Sequence, residues 1–123
     1  MKFIDSNILA YAFYNNKYQD RCQKIIKEGG IINTINLVEA FNIIEHEISR
    51  EIAIKSIRGL LKSNLKIIDA DLNLIFESLK RGEKSKLNFI DLIHYTSALL
   101  NNCETIISYD KDFNGLEIPR EEI

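Results

Sequence analysis

Acidic residues stand beside regular elements at several separate places in this chain. Asp5 directly follows a short apolar segment that is typical of a buried β-strand, and Glu39 comes a few residues after a second such segment. Asp91 opens an apolar helical segment, and Asp110 and Asp112 follow another short β segment. Residues just past the carboxyl ends of parallel strands converge on one crevice, where carboxylates repel one another unless a cation or shared protons compensate. This placement predicts a metal site.

The available ligand types indicate which metal the site would take. Carboxylate oxygens suit a hard cation such as Mg²⁺ or Mn²⁺. His94 lies three residues after Asp91 and shares a helical face with it, but His46 offers no matching context. We therefore interpret His94 as a core or rim residue. The sequence contains no Cys/His set with zinc spacing, no Walker P-loop and no G-x-S-x-G motif.

Each acid also has a purely structural interpretation. Asp5 is equally suited to cap the helix that follows it. Segments 36–39 and 88–91 both read N-x-x-acid and resemble capping boxes, with the acid in a first helical turn. Asp110 and Asp112 are also typical turn residues. A first-turn acid points to the same end of the sheet as Asp5, so the two interpretations are compatible.

The elements that must position these acids follow from the hydrophobic pattern. Strands are predicted over residues 2–5, 31–34, 66–69 and 105–108, with a candidate final strand over 113–118. Helices are predicted over residues 8–14, 18–28, 36–48, 50–63, 71–81 and 89–101, with Ser6-Asn7 capping the first. Short strands that alternate with helices indicate a mostly parallel sheet covered on both faces. We predict a single three-layer α/β/α domain over residues 1–123.

Composition limits the class of protein and its partners. The chain has 123 residues, of which 46% are hydrophobic and 28% charged, which is globular composition. Cys22 and Cys103 have no motif spacing and are predicted to be buried thiols. We find no secretory leader pattern and no apolar segment of the roughly 18 residues that a membrane span needs. The sequence therefore predicts a cytoplasmic protein without a membrane segment.

The net charge of −2 gives no general attraction to nucleic acid. A polyanion would therefore need a local basic patch or a metal-neutralised pocket. Two patches are available, and each can also be an ordinary solvated surface, an interpretation that applies more to the second of them. The first is the polar loop with Arg81, Lys84 and Lys86, and the second is the helical face with Lys55, Arg58 and Lys62.

Four segments, taken together in this order, resemble the motifs of PIN domains. They are FIDSNILAYA at 3–12, NLVEA at 36–40, NFIDLIHYTSA at 88–98 and TIISYDKDF at 105–113. The resemblance spans nearly the whole chain, and the chain's length resembles that of the small VapC-like toxin subgroup. His94-Tyr95 stands where small residues are usual, and Ser108 stands where Thr is more usual.

The resemblance implies a metal-dependent ribonuclease that acts on single-stranded or loop RNA. Asp5 and Asp91 would be the main Mg²⁺ ligands, with Asp110 completing the site and Mn²⁺ able to substitute. Glu39 would hold the attacking water or act as general base. The carboxylates would be oriented by neighbouring polar residues that do not bind the metal themselves, namely Ser6, Asn7, Ser108 and Asp112. The resemblance also implies a homodimer inhibited by a cognate antitoxin that inserts a basic side chain into the acidic cleft.

Other functions remain open at this point. A housekeeping RNA-processing nuclease would use the same acids, and a small antitoxin gene beside this one would favour the toxin. A non-catalytic RNA- or protein-binding module is a further alternative. A phosphoacceptor receiver domain is disfavoured, because it needs an acidic pair after the first strand, where this chain has Ser6-Asn7.

Overall fold

The computed structural model describes residues 1–123 and contains five strands and six α-helices. The strands are β1 (Lys2–Ile4), β2 (Ile31–Asn33), β3 (Lys66–Ile68), β4 (Thr105–Ile107) and β5 (Arg120–Glu121). The helices are α1 (Ser6–Tyr11), α2 (Gln19–Glu28), α3 (Thr34–Glu47), α4 (Arg50–Leu61), α5 (Leu72–Gly82) and α6 (Phe89–Leu100). A single 3-10 helical turn, Lys111–Phe113, follows β4.

All strand pairs in the sheet are parallel, and the strand order is β3-β2-β1-β4-β5. The central strand β1 pairs with β4 through Phe3 and Ile106, and with β2 through Phe3 and Ile31. The chain builds outward from β1 on one side and then crosses to the other side. The point where the order reverses lies at β1, and such points open a crevice beyond the carboxyl ends of the strands.

Alternating side chains of the short strands supply two separate cores. Phe3, Ile31 and Ile106 pack with Tyr95 and Ala98 of α6 on one face of the sheet. The residues that follow them in each strand pack on the other face with α1, α2, α3 and α4; they are Ile4, Ile32 and Ile107. Helices therefore cover both faces, and the predicted mostly parallel three-layer α/β/α architecture is confirmed.

The predicted final strand over 113–118 is wrong. Phe113 ends the 3-10 turn, Gly115 adopts a positive φ of 77°, and the Ile118 N–H donates to the Tyr95 hydroxyl at 3.1 Å. The backbone of residues 113–118 therefore does not form a strand beside β4. Pairing with β4 begins only at the Pro119 carbonyl, so β5 lies at Arg120–Glu121.

Two predicted helix starts also need correction. Helix α1 begins at Ser6 because Asp5, rather than Ser6-Asn7, is its N-cap. Helix α3 follows β2 without a linker because Asn33 is its N-cap. The reciprocal capping box joins Asn33 to Asn36, so Glu39 lies in the second turn of α3 and is not a capping residue.

Two expectations, about membrane-spanning helices and about the cysteines, can be compared with the fold. None of the six helices has both the length and the apolar character needed to cross a bilayer. Cys22 and Cys103 are buried free thiols, as predicted. Burial raises the pKa of the Cys22 thiol to about 11, which leaves it an inert packing group.

Gly30 generates a stability prediction, because it lies where β1 and β2 meet. A Cβ atom there would lie 2.8 Å from the Lys2 carbonyl oxygen and 2.9 Å from Ile4 Cδ1. We expect Gly30→Ala to lower the free energy of unfolding by about 1–3 kcal/mol, measured by urea denaturation. Gly59→Ala is the matched control, since its nearest new neighbour lies 3.9 Å away and it occupies a helix. Equal stability of the two variants would contradict this account of the strand contact.

Candidate active site

Asp5 lies at the carboxyl end of β1 and joins two elements by hydrogen bonds. Its Oδ1 accepts from the Ser6 N–H at 2.8 Å, and its Oδ2 accepts from the Ser108 hydroxyl at 2.6 Å. The residue is only 7% exposed. Burial raises the pKa of the Asp5 carboxyl, although both hydrogen bonds oppose that rise. Asp5 therefore caps α1 and also places a buried carboxyl group at the end of the sheet, where burial makes its ionised form unfavourable.

Asp91 stands in the first turn of α6, half-buried. Its N–H donates to Asn88 Oδ1 at 2.9 Å, so Asn88 caps the helix as predicted. The return bond is different from that of a capping box, because the Asn88 side-chain amide donates to Asp91 Oδ2 at 3.0 Å. The Asp91 carboxylate keeps a second oxygen that does not take part in capping.

Asp110 and Asp112 follow β4 and define the turn there. The Asp110 N–H donates to the Ser108 hydroxyl, and the Asp112 N–H donates to Asp110 Oδ1, both at 2.9 Å. These bonds bring the acids beside α6. One carboxylate oxygen from each of Asp91, Asp110 and Asp112 lies within 4.8 Å of the others. We call these three residues the acidic cluster.

Electrostatics of the acidic cluster match a cation site. The pKa of Asp91 is raised from its ordinary value of 3.8 to about 6, first by burial and then by the negative charges of Asp5 and Asp110. Glu39 adds a smaller contribution of the same sign. The negative charge gathered here is therefore more than the protein compensates with its own groups. A divalent ion with oxygen ligands fits this donor set.

Glu39 approaches the same end of the sheet from the second turn of α3, but it lies outside the acidic cluster. Its Oε1 lies 2.7 Å from the Ser6 hydroxyl, which donates to it, and 2.6 Å from His94 Nε2. Burial alone would raise the pKa of Glu39. The hydrogen bonds from His94 and Ser6, together with the electrostatic effect of the nearby imidazole, outweigh burial, so the pKa is lowered and the carboxylate stays ionised at neutral pH.

Several site features differ from the predictions made from the sequence. His94 is fully buried, as predicted, yet it touches Glu39 instead of packing only against apolar groups. Asn33 is also fully buried and contacts both His94 and Ser97. A polar residue closing an apolar strand, as Asp5 does, was the signal that identified Asp5 and was also available for Asn33. Asn7 makes no side-chain hydrogen bond to the acids.

A groove of about 770 Å³ borders the acidic cluster. Its lining includes Arg81, Lys84 and Lys86 as well as Asp112. Arg81 is tied to Glu77 by an ion pair at 3.3 Å, whereas Lys84 and Lys86 are exposed and unpaired. The second basic patch, with Lys55, Arg58 and Lys62, lies on α4 and thus over the opposite face of the sheet.

Comparisons with known proteins agree with this geometry. The family model of the PIN domain matches residues 2–118. The sarcin–ricin-loop-cleaving toxin VapC20 of Mycobacterium tuberculosis has a similar structure, with a TM-score of 0.79, 13% identity and coverage of 96% of both chains. No curated protein sequence matches the chain significantly.

Two solved toxin–antitoxin assemblies also contain a similar fold. A complex from Klebsiella pneumoniae gives a TM-score of 0.72 at 17% identity, covering 100% of this chain and 96% of that one. VapBC2 of Rickettsia felis, bound to a DNA fragment from its promoter, gives 0.71 at 19% identity, covering 99% of this chain and 98% of that one. At these identities the likeness establishes the fold.

The raised pKa of Asp91 generates a prediction about stability without metal. Between pH 4 and 6 the unfolded chain has lost the Asp91 proton while the folded protein retains it, so unfolding releases a proton. We therefore expect the free energy of unfolding in EDTA to fall as pH rises from about 4 to about 6. Asp91→Asn should flatten that fall and be more stable than wild type at pH 7.5 by on the order of 1 kcal/mol, because solvent screens the half-exposed carboxyl.

Thermal melting in EDTA across this pH range measures the effect. Glu104→Gln serves as the control, since Glu104 is an exposed acid that precedes β4 and so lies at the opposite edge of the sheet. A wild-type profile parallel to that of Asp91→Asn would contradict the assignment of the raised pKa to Asp91.

Proposed function

The chain belongs to the PIN domain family, and we propose that it is a metal-dependent endoribonuclease and the toxin of a VapBC-like toxin–antitoxin pair. One observation carries the enzymatic part of the proposal. The acidic cluster stands at the carboxyl edge of a parallel sheet, and the Asp91 pKa is raised to about 6 by burial and by neighbouring negative charges. Strongly perturbed carboxylates gathered in a crevice are typical of catalytic sites. We propose that residues 1–123 act as one PIN domain.

Asp5, Asp91 and Asp110 are the proposed metal ligands, and the distances favour Asp112 as an additional one. The oxygen donor set favours Mg²⁺, with Mn²⁺ as a substitute. A bound divalent ion would lower the pKa of the attacking water and stabilise negative charge on the phosphate. Ser108 and the Ser6 N–H hold the Asp5 carboxylate in one orientation, each bonding a different oxygen.

Glu39 is the proposed general base. Its Oε1 is occupied by Ser6 and His94, which leaves Oε2 without a protein partner. The lowered pKa keeps the carboxylate ionised, so Oε2 can accept a proton from the attacking water. This role differs from that of the acidic cluster, whose members are placed to hold a cation.

The groove beside Asp112 is the proposed path of the RNA backbone. Lys84 and Lys86 would neutralise phosphates next to the scissile one, because both are exposed and neither has an acidic partner. A strand lying in this groove would enter the acidic cluster at Asp112. The basic groove thereby supplies the local attraction that the net charge of −2 does not.

The toxin assignment adds partners to the proposal. The solved neighbours from Klebsiella pneumoniae and Rickettsia felis are toxin–antitoxin assemblies, which supports an antitoxin partner for this chain. An acidic cleft favours insertion of a basic antitoxin side chain on electrostatic grounds. Homodimerisation belongs to the same proposal, and α5 exposes the apolar side chains Leu72, Phe76 and Leu79 that pairing of two copies would remove from water. The proposed compartment is the cytoplasm.

The nuclease proposal predicts metal-dependent RNA cleavage. Purified protein should cut single-stranded RNA at defined positions in Mg²⁺ and not in EDTA. We expect Asp91→Asn, Asp110→Asn and Asp5→Asn each to lower the cleavage rate by at least about 100-fold, because each removes a proposed ligand. Mg²⁺ or Mn²⁺ should also raise the melting temperature of the wild type, and Asp5→Asn should remove that gain.

Gel separation of end-labelled RNA and differential scanning fluorimetry provide the two measurements. Glu104→Gln should retain both cleavage and the metal response, since it preserves the acidic cluster. Full activity in EDTA, or cleavage that survives all three Asp→Asn substitutions, would contradict the proposal and leave a non-catalytic binding module as the better account.

The proposed RNA path predicts a salt-dependent loss of binding. In an Asp91→Asn background, Lys84→Ala with Lys86→Ala should weaken RNA affinity and reduce the slope of log affinity against log salt by about 1.4, the value for two single-strand phosphate contacts. Fluorescence anisotropy at several salt concentrations measures both quantities.

The matched control removes two charges from α4 with Lys55→Ala and Lys62→Ala. These residues lie over the other face of the sheet, so RNA affinity should change little. A larger loss from the α4 pair than from Lys84 and Lys86 would move the RNA path to that face.

A further inference from the structure

We propose that His94 is a positioning residue, held by Asn33 in the neutral tautomer that carries its proton on Nε2, and that this tautomer presents Glu39 to the cleft. The inference deepens the proposed nuclease function and rests on it for its catalytic consequence. The hydrogen-bond geometry that carries it is independent of that function.

The first step is the orientation of the Asn33 side chain. Asn33 Oδ1 accepts from the Asn36 N–H at 3.0 Å, while Asn36 Oδ1 accepts from the Asn33 N–H at 2.8 Å. A flipped Asn33 amide would direct its NH₂ group at the Asn36 N–H, placing two donors face to face. The capping box at the start of α3 therefore fixes which side of the Asn33 amide is the donor.

The second step is the effect of the Asn33 amide orientation on which imidazole nitrogen of His94 carries the proton. Asn33 Nδ2 has two protons; it lies 3.0 Å from the Ser97 hydroxyl oxygen and 3.0 Å from His94 Nδ1. Because Nδ2 can only donate, His94 Nδ1 must accept, so it carries no proton. The imidazole proton is then on Nε2, and His94 is neutral.

The third step is the contact with the acid. With its proton on Nε2, His94 donates to Glu39 Oε1 at 2.6 Å. The Ser6 hydroxyl donates to the same oxygen at 2.7 Å and itself accepts from Asn36 Nδ2 at 2.9 Å. Both asparagines of the capping box thus end their hydrogen-bond chains on Glu39 Oε1. The free Oε2 is left as the oxygen directed away from this network.

Because these side chains are buried, each donor among them must meet an acceptor. Asn33, Asn36 and His94 are all fully buried, and no buried side-chain nitrogen or oxygen lacks a hydrogen-bond partner. The opposite tautomer would place a donor against Asn33 Nδ2 and a lone pair against the Glu39 carboxylate. Leaving buried groups mismatched in this way costs about 1–3 kcal/mol for each group. One proton arrangement is therefore strongly preferred.

The tautomer itself is the first test, and it needs no nuclease activity. The chain has two histidines, and His46 is exposed, so His46→Gln leaves one imidazole to observe without touching the site. Two-bond ¹H–¹⁵N correlation spectra at neutral pH should show His94 protonated on Nε2 and bare on Nδ1. In Asn33→Asp, which preserves the cap but replaces the Nδ2 donor by an acceptor, Nδ1 should gain a proton.

Kinetics of matched variants test the positioning role. His94→Gln can still donate to Glu39, whereas His94→Leu cannot. We expect His94→Leu to lower kcat for RNA cleavage by about 10–100-fold with little change in KM, and His94→Gln to recover most of the loss. His46→Gln should cleave like wild type.

Three results would overturn the inference. They are a proton on Nδ1 in the wild type, full kcat in a folded His94→Leu, and His94→Gln as impaired as His94→Leu, which would indicate packing instead of donation. A wild type that shows the Nε2–H tautomer but cuts no RNA would count against the proposed nuclease function and against the catalytic role of His94, while the hydrogen-bond chain would stand.

Discussion

The reciprocal hydrogen bonds between Asn33 and Asn36 are the interaction on which the rest of the site depends. They end β2 and begin α3 within one residue, because each asparagine satisfies a backbone N–H of the other. Their remaining amide protons extend to Ser97, His94 and Ser6. A motif that ordinarily only caps a helix here also orients side chains from three other helical positions.

The acids on the two sides of this network are held in different ways. Glu39 is stabilised as an anion by donors that approach one oxygen, so its charge is compatible with burial. The Asp91 carboxylate accepts one side-chain hydrogen bond, from Asn88, and its pKa is raised. The surrounding protein therefore disfavours its ionised form. Glu39 is thus ionised at neutral pH with its charge compensated by hydrogen bonds, whereas the charge of Asp91 lacks such compensation from the protein. An uncompensated charge of this kind lowers the stability of the fold, and burial of the apolar residues of β1 and β4 beside it offsets part of that cost.

Much of the fold could be predicted from the sequence, because short apolar segments alternating with amphipathic helices permit few arrangements. Parallel strand topology predicted that Asp5 and Asp110 lie at one end of the sheet. Asp110 lies with Asp91 and Asp112 in the acidic cluster, whereas Asp5 lies outside that cluster and acts on Asp91 through its charge. The final strand was misplaced because 113–118 has apolar residues at suitable spacing, while the decisive constraints, the Gly115 backbone and the Tyr95 hydroxyl, are not local to it. The capping-box interpretation of segment 36–39 was wrong, because either Asn33 or Asn36 could begin α3 and the structure uses Asn33.

The contact between His94 and Glu39 could not be predicted at all. The two residues are 55 positions apart, and the sequence contains no signal for which buried acceptor a buried imidazole will meet. Only the packing of α3 and of α6 against β2, which brings one turn of each helix to the end of that strand, decides that. Local sequence patterns therefore identified the candidate site acids. Their hydrogen-bond partners depend on residues that are distant in the sequence.

The wide sequence separation of the site residues has a consequence for protein synthesis. The carboxylates come from position 5 at one extreme and position 112 at the other, in a chain of 123 residues. A polypeptide interrupted before β4 lacks two members of the acidic cluster and the Ser108 hydroxyl that holds Asp5. A nascent chain therefore cannot assemble the site before β4 and the turn that follows it have been synthesised. For the proposed nuclease, this order of assembly would keep the site incomplete while the preceding elements are being synthesised.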